Sequence, residues 1–136
     1  MKNWWTDEDR EAFDGRVSLL IEYFGNIVAY DDGTPNASKT IQGEAIADMG
    51  GIRCMLRMAK EVEGFDYDRF FRAYAHLWQR LESLQSSEAS TLSDPHPRCY
   101  HRVNVTLQQF DEFLETYEIK EGDRMYLAPQ DRIAVW

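Results

Sequence analysis

Several things are scarce in this chain, and each scarcity rules something out. Cysteine occurs twice, at Cys54 and Cys99, too far apart for a zinc knuckle or a redox pair. The two read as free thiols in a reducing compartment. Basic residues are outnumbered, 15 Lys and Arg against 24 Asp and Glu, for a net charge of −9. That balance argues against nucleic acid, which needs a basic face, and against an anionic membrane surface. No apolar run approaches the roughly 18 residues that cross a bilayer. The opening "MKNWWTDEDR" has no apolar stretch of the kind that heads an exported protein. A cytoplasmic setting is therefore expected. Internal repeats and runs of strand-forming residues are also missing.

What remains is a 136-residue chain, 43% hydrophobic and 13% aromatic, so a folded protein rather than a disordered one. Residues 1–136 are expected to form a single domain burying about two-thirds of the surface the unfolded chain exposes. The pattern is mainly α, about four helices plus an irregular C-terminal tail. Thr6 and the acids after it start a helix that Phe13, Val17, Leu20, Phe24 and Val28 carry to about Tyr30. "DDGTPN" breaks it. A second helix runs from Gln42 or Gly43 to Gly64. Asp66 caps a third, with Phe70, Tyr74, Leu77, Trp78 and Leu81 as its buried stripe. The proline-interrupted segment from Gln85 to His101 reads as loop with at most one helical turn, and Thr106 caps a fourth helix bearing Leu107, Phe110, Leu114 and Tyr117. Trp4, Trp5 and Trp136 stand at the two ends, where chains are usually polar, and are expected to be buried.

Two constellations could carry chemistry. Glu44 and Asp48 lie one helical turn apart on one face and repel unless something positive joins them. Most such pairs are a solvated helix face. Here the neighbours are small or apolar, and Gly50-Gly51 costs a helix about 2 kcal/mol, as though something must approach closely. The first acid could bind a metal while the second steadies a metal-binding histidine. The other constellation is "SDPHPRCYHRVN". His96 is held between Pro95 and Pro97, and Arg102 follows in a stretch read as extended. Together they could grip a carbonyl oxygen as it gains charge, although a surface histidine and a surface arginine are the plainer reading of those residues alone. His76 and His101 read as ordinary packed or surface histidines.

"GEAIADMGG", "DPHPRCYHRVN", "GDRMYLAPQDRIAVW" and "NWWTDEDREAF", in this order, resemble the neprilysin-type zinc metalloendopeptidases along essentially the whole chain. The resemblance implies a zincin-like C-terminal helical subdomain and a peptide substrate. It assigns Glu44 as the third zinc ligand and Asp48 as the acid that orients a zinc-binding histidine. It assigns His96 and Arg102 to the substrate carbonyl and the oxyanion. Gln42, Ala45 and Val105 depart from the family pattern. So does a larger feature: a zinc centre of this kind needs two histidines from an H-E-x-x-H helix, and these 136 residues contain none. In the family that helix lies just before the tryptophan pair, so the chain is expected to start after it, whether Met1 is internal to a longer protein or the start of a shortened one. Zn²⁺ is implied for the complete enzyme, and none is expected to stay on this chain alone, which should be catalytically silent. Other readings are a non-catalytic helical interaction module and one half of a split peptidase. Removing the missing helix should also expose an apolar surface around Trp4, Trp5 and part of the second helix, which invites self-association.

Overall fold

The Thr6 hydroxyl accepts a hydrogen bond from the Asp9 amide at 3.1 Å, and three acids occupy the first turn beyond it. This cap starts α1, Asp7–Gly25, in a computed structural model that describes residues 4–91 and 93–134. Then come α2 (Ser38–Ala59), α3 (Tyr67–Leu77), α4 (Leu84–Thr91), α5 (Cys99–Leu107) and α6 (Asp111–Thr116), with a 3-10 turn at Pro129–Asp131. The chain is mainly helical, as the sequence pattern implies, with six α-helices among the described residues rather than about four. An isolated bridge between Val28 and Pro35 is the extended pairing among the described residues.

The boundaries differ from the periodicity for identifiable reasons. Helix α1 stops at Gly25, short of Tyr30, because Ile27 and Ala29 turn their backbone groups toward the returning loop. Ala29 donates to the Thr34 carbonyl at 2.6 Å, and Asn36 donates to that of Ile27 at 3.3 Å. Gly33, at φ +88°, closes this turn. Helix α2 begins at Ser38 and ends at Ala59, leaving Gly64, at φ +68°, in the connection to α3. Asp66 caps α3 as expected, accepting from Arg69 N at 2.9 Å. The buried residue of α3 is Phe71, however, and Leu77 and Leu81 are exposed, because the helix ends at Leu77 and its stripe turns with it.

Two stretches read as irregular are helical. The segment before "SDPHP" forms α4, whose one buried residue is Ser87. It is fastened by the Tyr30 hydroxyl, which donates to Ser87 Oγ at 2.9 Å and lies 2.5 Å from Thr91 Oγ1. Arg102 sits not in an extended stretch but inside α5, and Thr106 is buried in the last turn of that helix instead of capping the next. Helix α6 starts after Phe110, with no side-chain cap.

The core has two parts. Leu20 and Phe24 of α1 pack with Ile41, Ala45 and Met49 of α2, Val105 of α5 and Ile133 of the tail. Ile52 and Leu56, further along α2, pack with Phe71, Leu107, Phe110, Phe113 and Leu114. Helix α2 thus runs through both, and its face toward α5 is set by apolar burial on either side. The tail is drawn in by Gln109, whose buried Oε1 accepts from Ile133 N at 2.9 Å. Of the terminal tryptophans expected to be buried, Trp5 is half-buried and Trp4 is not. Trp4 is 82% exposed, resting on Trp5, which in turn meets Phe13; Trp136 lies outside the described residues. Met55 and Met58 on α2 are exposed as well. Among the described residues no helix is long and apolar enough to cross a membrane.

Candidate active site

Ala45 and Met49 are buried on α2, so the residues just before each, Glu44 and Asp48, lie along the edge of the buried face, toward α5. On α5 the same logic applies to Arg102, which lies between buried His101 and Val105. The two edges meet. Arg102 Nε donates to Asp48 Oδ2 at 2.7 Å, and Arg102 Nη2 donates to Asp48 Oδ1 at 2.6 Å. This side-on fork is a short, charge-assisted pair. The side chains are 8% exposed for Asp48 and 10% for Arg102. Glu44 is 40% exposed and accepts a longer bond from Arg102 Nη2 at 3.4 Å. The positive partner that the acid pair requires is therefore found within the chain.

His96 completes the group. Its amide and its Nδ1 both approach Asp94 Oδ1, at 2.9 and 2.6 Å, a local turn that sets the ring. With Nδ1 donating to Asp94, Nε2 is the free ring atom, and it lies 3.7 Å from Glu44 Oε2. All four residues singled out from the sequence are thus brought together: Glu44 Oε2 stands between Arg102 Nη2 and His96 Nε2. His76 is elsewhere, exposed, beside Gln79.

The electrostatics follow from burial and charge. Burial pushes the Asp48 carboxyl up, and the Arg102 hydrogen bonds and charge pull it back. For Arg102, burial acts against the charge, but the bonds to Asp48 and the charges of Asp48 and Glu44 outweigh it and hold the guanidinium above its ordinary value. Asp94 is held below the usual carboxylate range by the His96 amide and ring.

Sequence reasoning misses two participants. Trp78 lays its ring 3.7 Å from the Arg102 guanidinium carbon, measured to the ring centroid. Tyr74 donates its hydroxyl to the Arg102 carbonyl at 3.1 Å, and burial, with the Asp48 charge, pushes that phenol up to about 12. Tyr74 lies in α3 and Trp78 caps its C-terminal end, at an i and i+4 spacing that marks a shared face but not what it covers. His101, read from sequence as an ordinary packed or surface histidine, is packed: it is fully buried, its Nδ1 3.1 Å from Asn36 Oδ1.

Do these residues fit a zinc ion? Among the described residues no three His, Cys, Asp or Glu side chains converge as a metal site would need. Both Asp48 oxygens face Arg102, and His96 Nδ1 faces Asp94. Glu44 can offer one carboxylate donor. The donor set fits one arm of a three-ligand zinc centre and not the whole of it.

Comparison with known proteins agrees with this partial character. A neutral endopeptidase of Lactococcus lactis subsp. lactis is 34% identical over 136 residues, all of this chain but 21% of that protein. Endothelin-converting enzyme 1 of Homo sapiens is 26% identical over 149 aligned residues, 19% of its length. The chain thus spans about a fifth of the curated relatives it matches. Among solved structures, an inhibitor-bound zinc metalloprotease of Mycobacterium tuberculosis superposes with a TM-score of 0.83 at 25% identity, covering 98% of this chain and 23% of that one. PepO from Lactobacillus rhamnosis gives 0.83 at 27% identity, over 97% and 21%. The model of peptidase family M13 matches residues 1–133, and the chain belongs to that family.

Proposed function

We propose that this chain is the part of a zinc-dependent metalloendopeptidase that supplies the carboxylate arm of the metal site and the clamp on the substrate carbonyl. The convergence of Arg102 Nη2 and His96 Nε2 on Glu44 Oε2, at 3.4 and 3.7 Å, carries the reading. The metal, once held, supplies an activated water at neutral pH. Glu44, half in solvent, is the donor from this chain. Asp48 holds Arg102 with one lone pair on each oxygen and keeps others with which to orient a metal-binding histidine from outside the chain. Arg102, and His96 when its imidazole carries protons on both nitrogens, donate to the peptide carbonyl as it gains negative charge, worth about a hundredfold or more in kcat for each such donor.

The chain alone holds neither an H-E-x-x-H sequence nor two histidine donors for the metal, so no hydrolytic step can be written for it in isolation. A purely structural helical module accounts less well for the buried Arg102–Asp48 pair, because apolar residues of similar size would stabilise such a fold as well or better. The free thiols, Cys54 and Cys99, suit a reducing, cytoplasmic setting.

The test is zinc content and peptidase activity of this chain, measured beside the same chain joined to a family segment that carries H-E-x-x-H. We expect zinc and activity in the joined protein alone, and loss of the zinc on Glu44→Gln. Stoichiometric zinc and peptide cleavage by the unaided chain would overturn the proposal, as would undiminished zinc in joined Glu44→Gln.

A further inference from the structure

The side-on fork between Arg102 and Asp48 uses Nε and Nη2, and among the described residues Nη1 has no protein partner. If Arg102 acts on a carbonyl oxygen, as proposed above, Nη1 carries its free N–H groups. Two bonds within the guanidinium plane fix where that plane lies along the fork. They resist poorly a tilt about the line joining them, and such a tilt would swing Nη1 most, since it lies farthest from the fork. Something must hold the face.

We infer that Trp78, seconded by Tyr74, is a positioning residue that fixes the tilt of the Arg102 guanidinium and so aims Nη1. The indole ring covers one face of the guanidinium at 3.7 Å. One turn before Trp78, which caps the end of α3, the Tyr74 hydroxyl pins the Arg102 main-chain carbonyl at 3.1 Å. The two rings meet edge to face, 6.2 Å apart, so each limits the other. Helix α3 thus brackets a single residue of α5 twice, once on its backbone and once on its side chain.

A further observation identifies what the tryptophan contributes. Its indole N–H is buried and, although it stands near enough to the Tyr74 hydroxyl to act on that phenol, it makes no hydrogen bond of ordinary geometry. A buried donor without such a bond is a cost to folding, so the useful part of the ring is its π face rather than its hydrogen bond. Phenylalanine should therefore replace Trp78 far better than leucine, although leucine is also apolar and large.

Two measurements test this, the first on the chain as it stands. Phenylglyoxal labelling of Arg102, mapped by mass spectrometry and normalised to exposed Arg57, should be roughly fivefold faster in Trp78→Leu, with Trp78→Phe recovering most of the protection. Equal labelling in the Leu and Phe variants would overturn the inference, because packing alone would then explain the contact. The second uses a chimaera in which this chain replaces the matching segment of a full-length neutral endopeptidase. Trp78→Leu should lower kcat roughly tenfold with KM little changed, as for a contact made in the transition state, and Trp78→Phe should restore the greater part. Arg102→Gln separates the two ideas. If it abolishes activity while Trp78→Leu does not lower kcat, the positioning role is wrong and the proposed function stands. If Arg102→Gln is fully active, the proposed role of Arg102 fails. Should the chimaera not fold, the labelling comparison decides on its own.

Discussion

Both carboxylate oxygens of Asp48 are engaged by one guanidinium, that of Arg102, 54 positions along the chain, at 2.6 and 2.7 Å. The contact ties α2 to α5 through two nearly buried charges. Removing either partner leaves the other buried and uncompensated, so Asp48→Leu and Arg102→Leu should each cost about 3–5 kcal/mol. The double variant Asp48→Leu/Arg102→Leu should lose clearly less than the sum, since no lone charge remains. Urea denaturation of the four proteins measures this, and strict additivity would refute the coupling.

His101 predicts a pH dependence. Burial, aided by the Arg98 charge, lowers its imidazole from 6.5 to about 4. The ring is fully buried, with Nδ1 donating to Asn36. Between these two values the unfolded chain takes up the proton and the folded chain does not. Stability from this group is therefore intact above about pH 6.5 and drains away as pH falls toward 4, by on the order of 3 kcal/mol. Thermal or urea unfolding from pH 7.5 to 4.5 should show the decline. In His101→Gln the slope across that window should flatten while stability at pH 7.5 falls.

Gly51 is exposed on α2, and a Cβ added there would meet nothing within 4 Å. The sequence suggests that the glycine pair makes room for something, but at Gly51 this chain brings nothing close. Gly51→Ala should therefore stabilise the chain by about 0.5–1 kcal/mol, through helix propensity alone. A rise in melting temperature is the expected result. Destabilisation would mean that an occupant of that space has been missed.

Helix α4 offers a local test. Its attachment runs through the Tyr30 hydroxyl to Ser87 and Thr91 rather than through apolar packing. Tyr30→Phe removes those bonds and little else, so hydrogen exchange should quicken across residues 84–91 by roughly tenfold, matching a loss of about 1.5 kcal/mol, with global stability little altered. Uniform exchange in both proteins would show that α4 is held by other means.

How far the sequence carries the reader depends on the range of the forces involved. The caps at Thr6 and Asp66 are local, one residue bonding an amide three positions on, and both are legible in the letters. So are Leu20 and Phe24 in the stripe of α1, though Val28 lies exposed beyond it, and so are Glu44, Asp48, His96 and Arg102 as candidates, since each sits in a short pattern. The eight residues of α4 have no stripe to read. Helix α5 is concealed for another reason. Val103, Val105 and Thr106 are β-branched and favour extended chain, yet burial of Arg102, Val105, Thr106 and Leu107 between its neighbours makes the segment helical.

By itself, then, the sequence determined a mainly helical chain, its family pattern and the acids, histidine and arginine that could act. Only the tertiary structure decided that Arg102 joins Asp48, that Glu44 faces both Arg102 and His96, and that Trp78 and Tyr74 bracket the arginine. Helix periods and caps act over a few residues, whereas pairing across 54 positions exists only once apolar burial has set α2, α3 and α5 side by side.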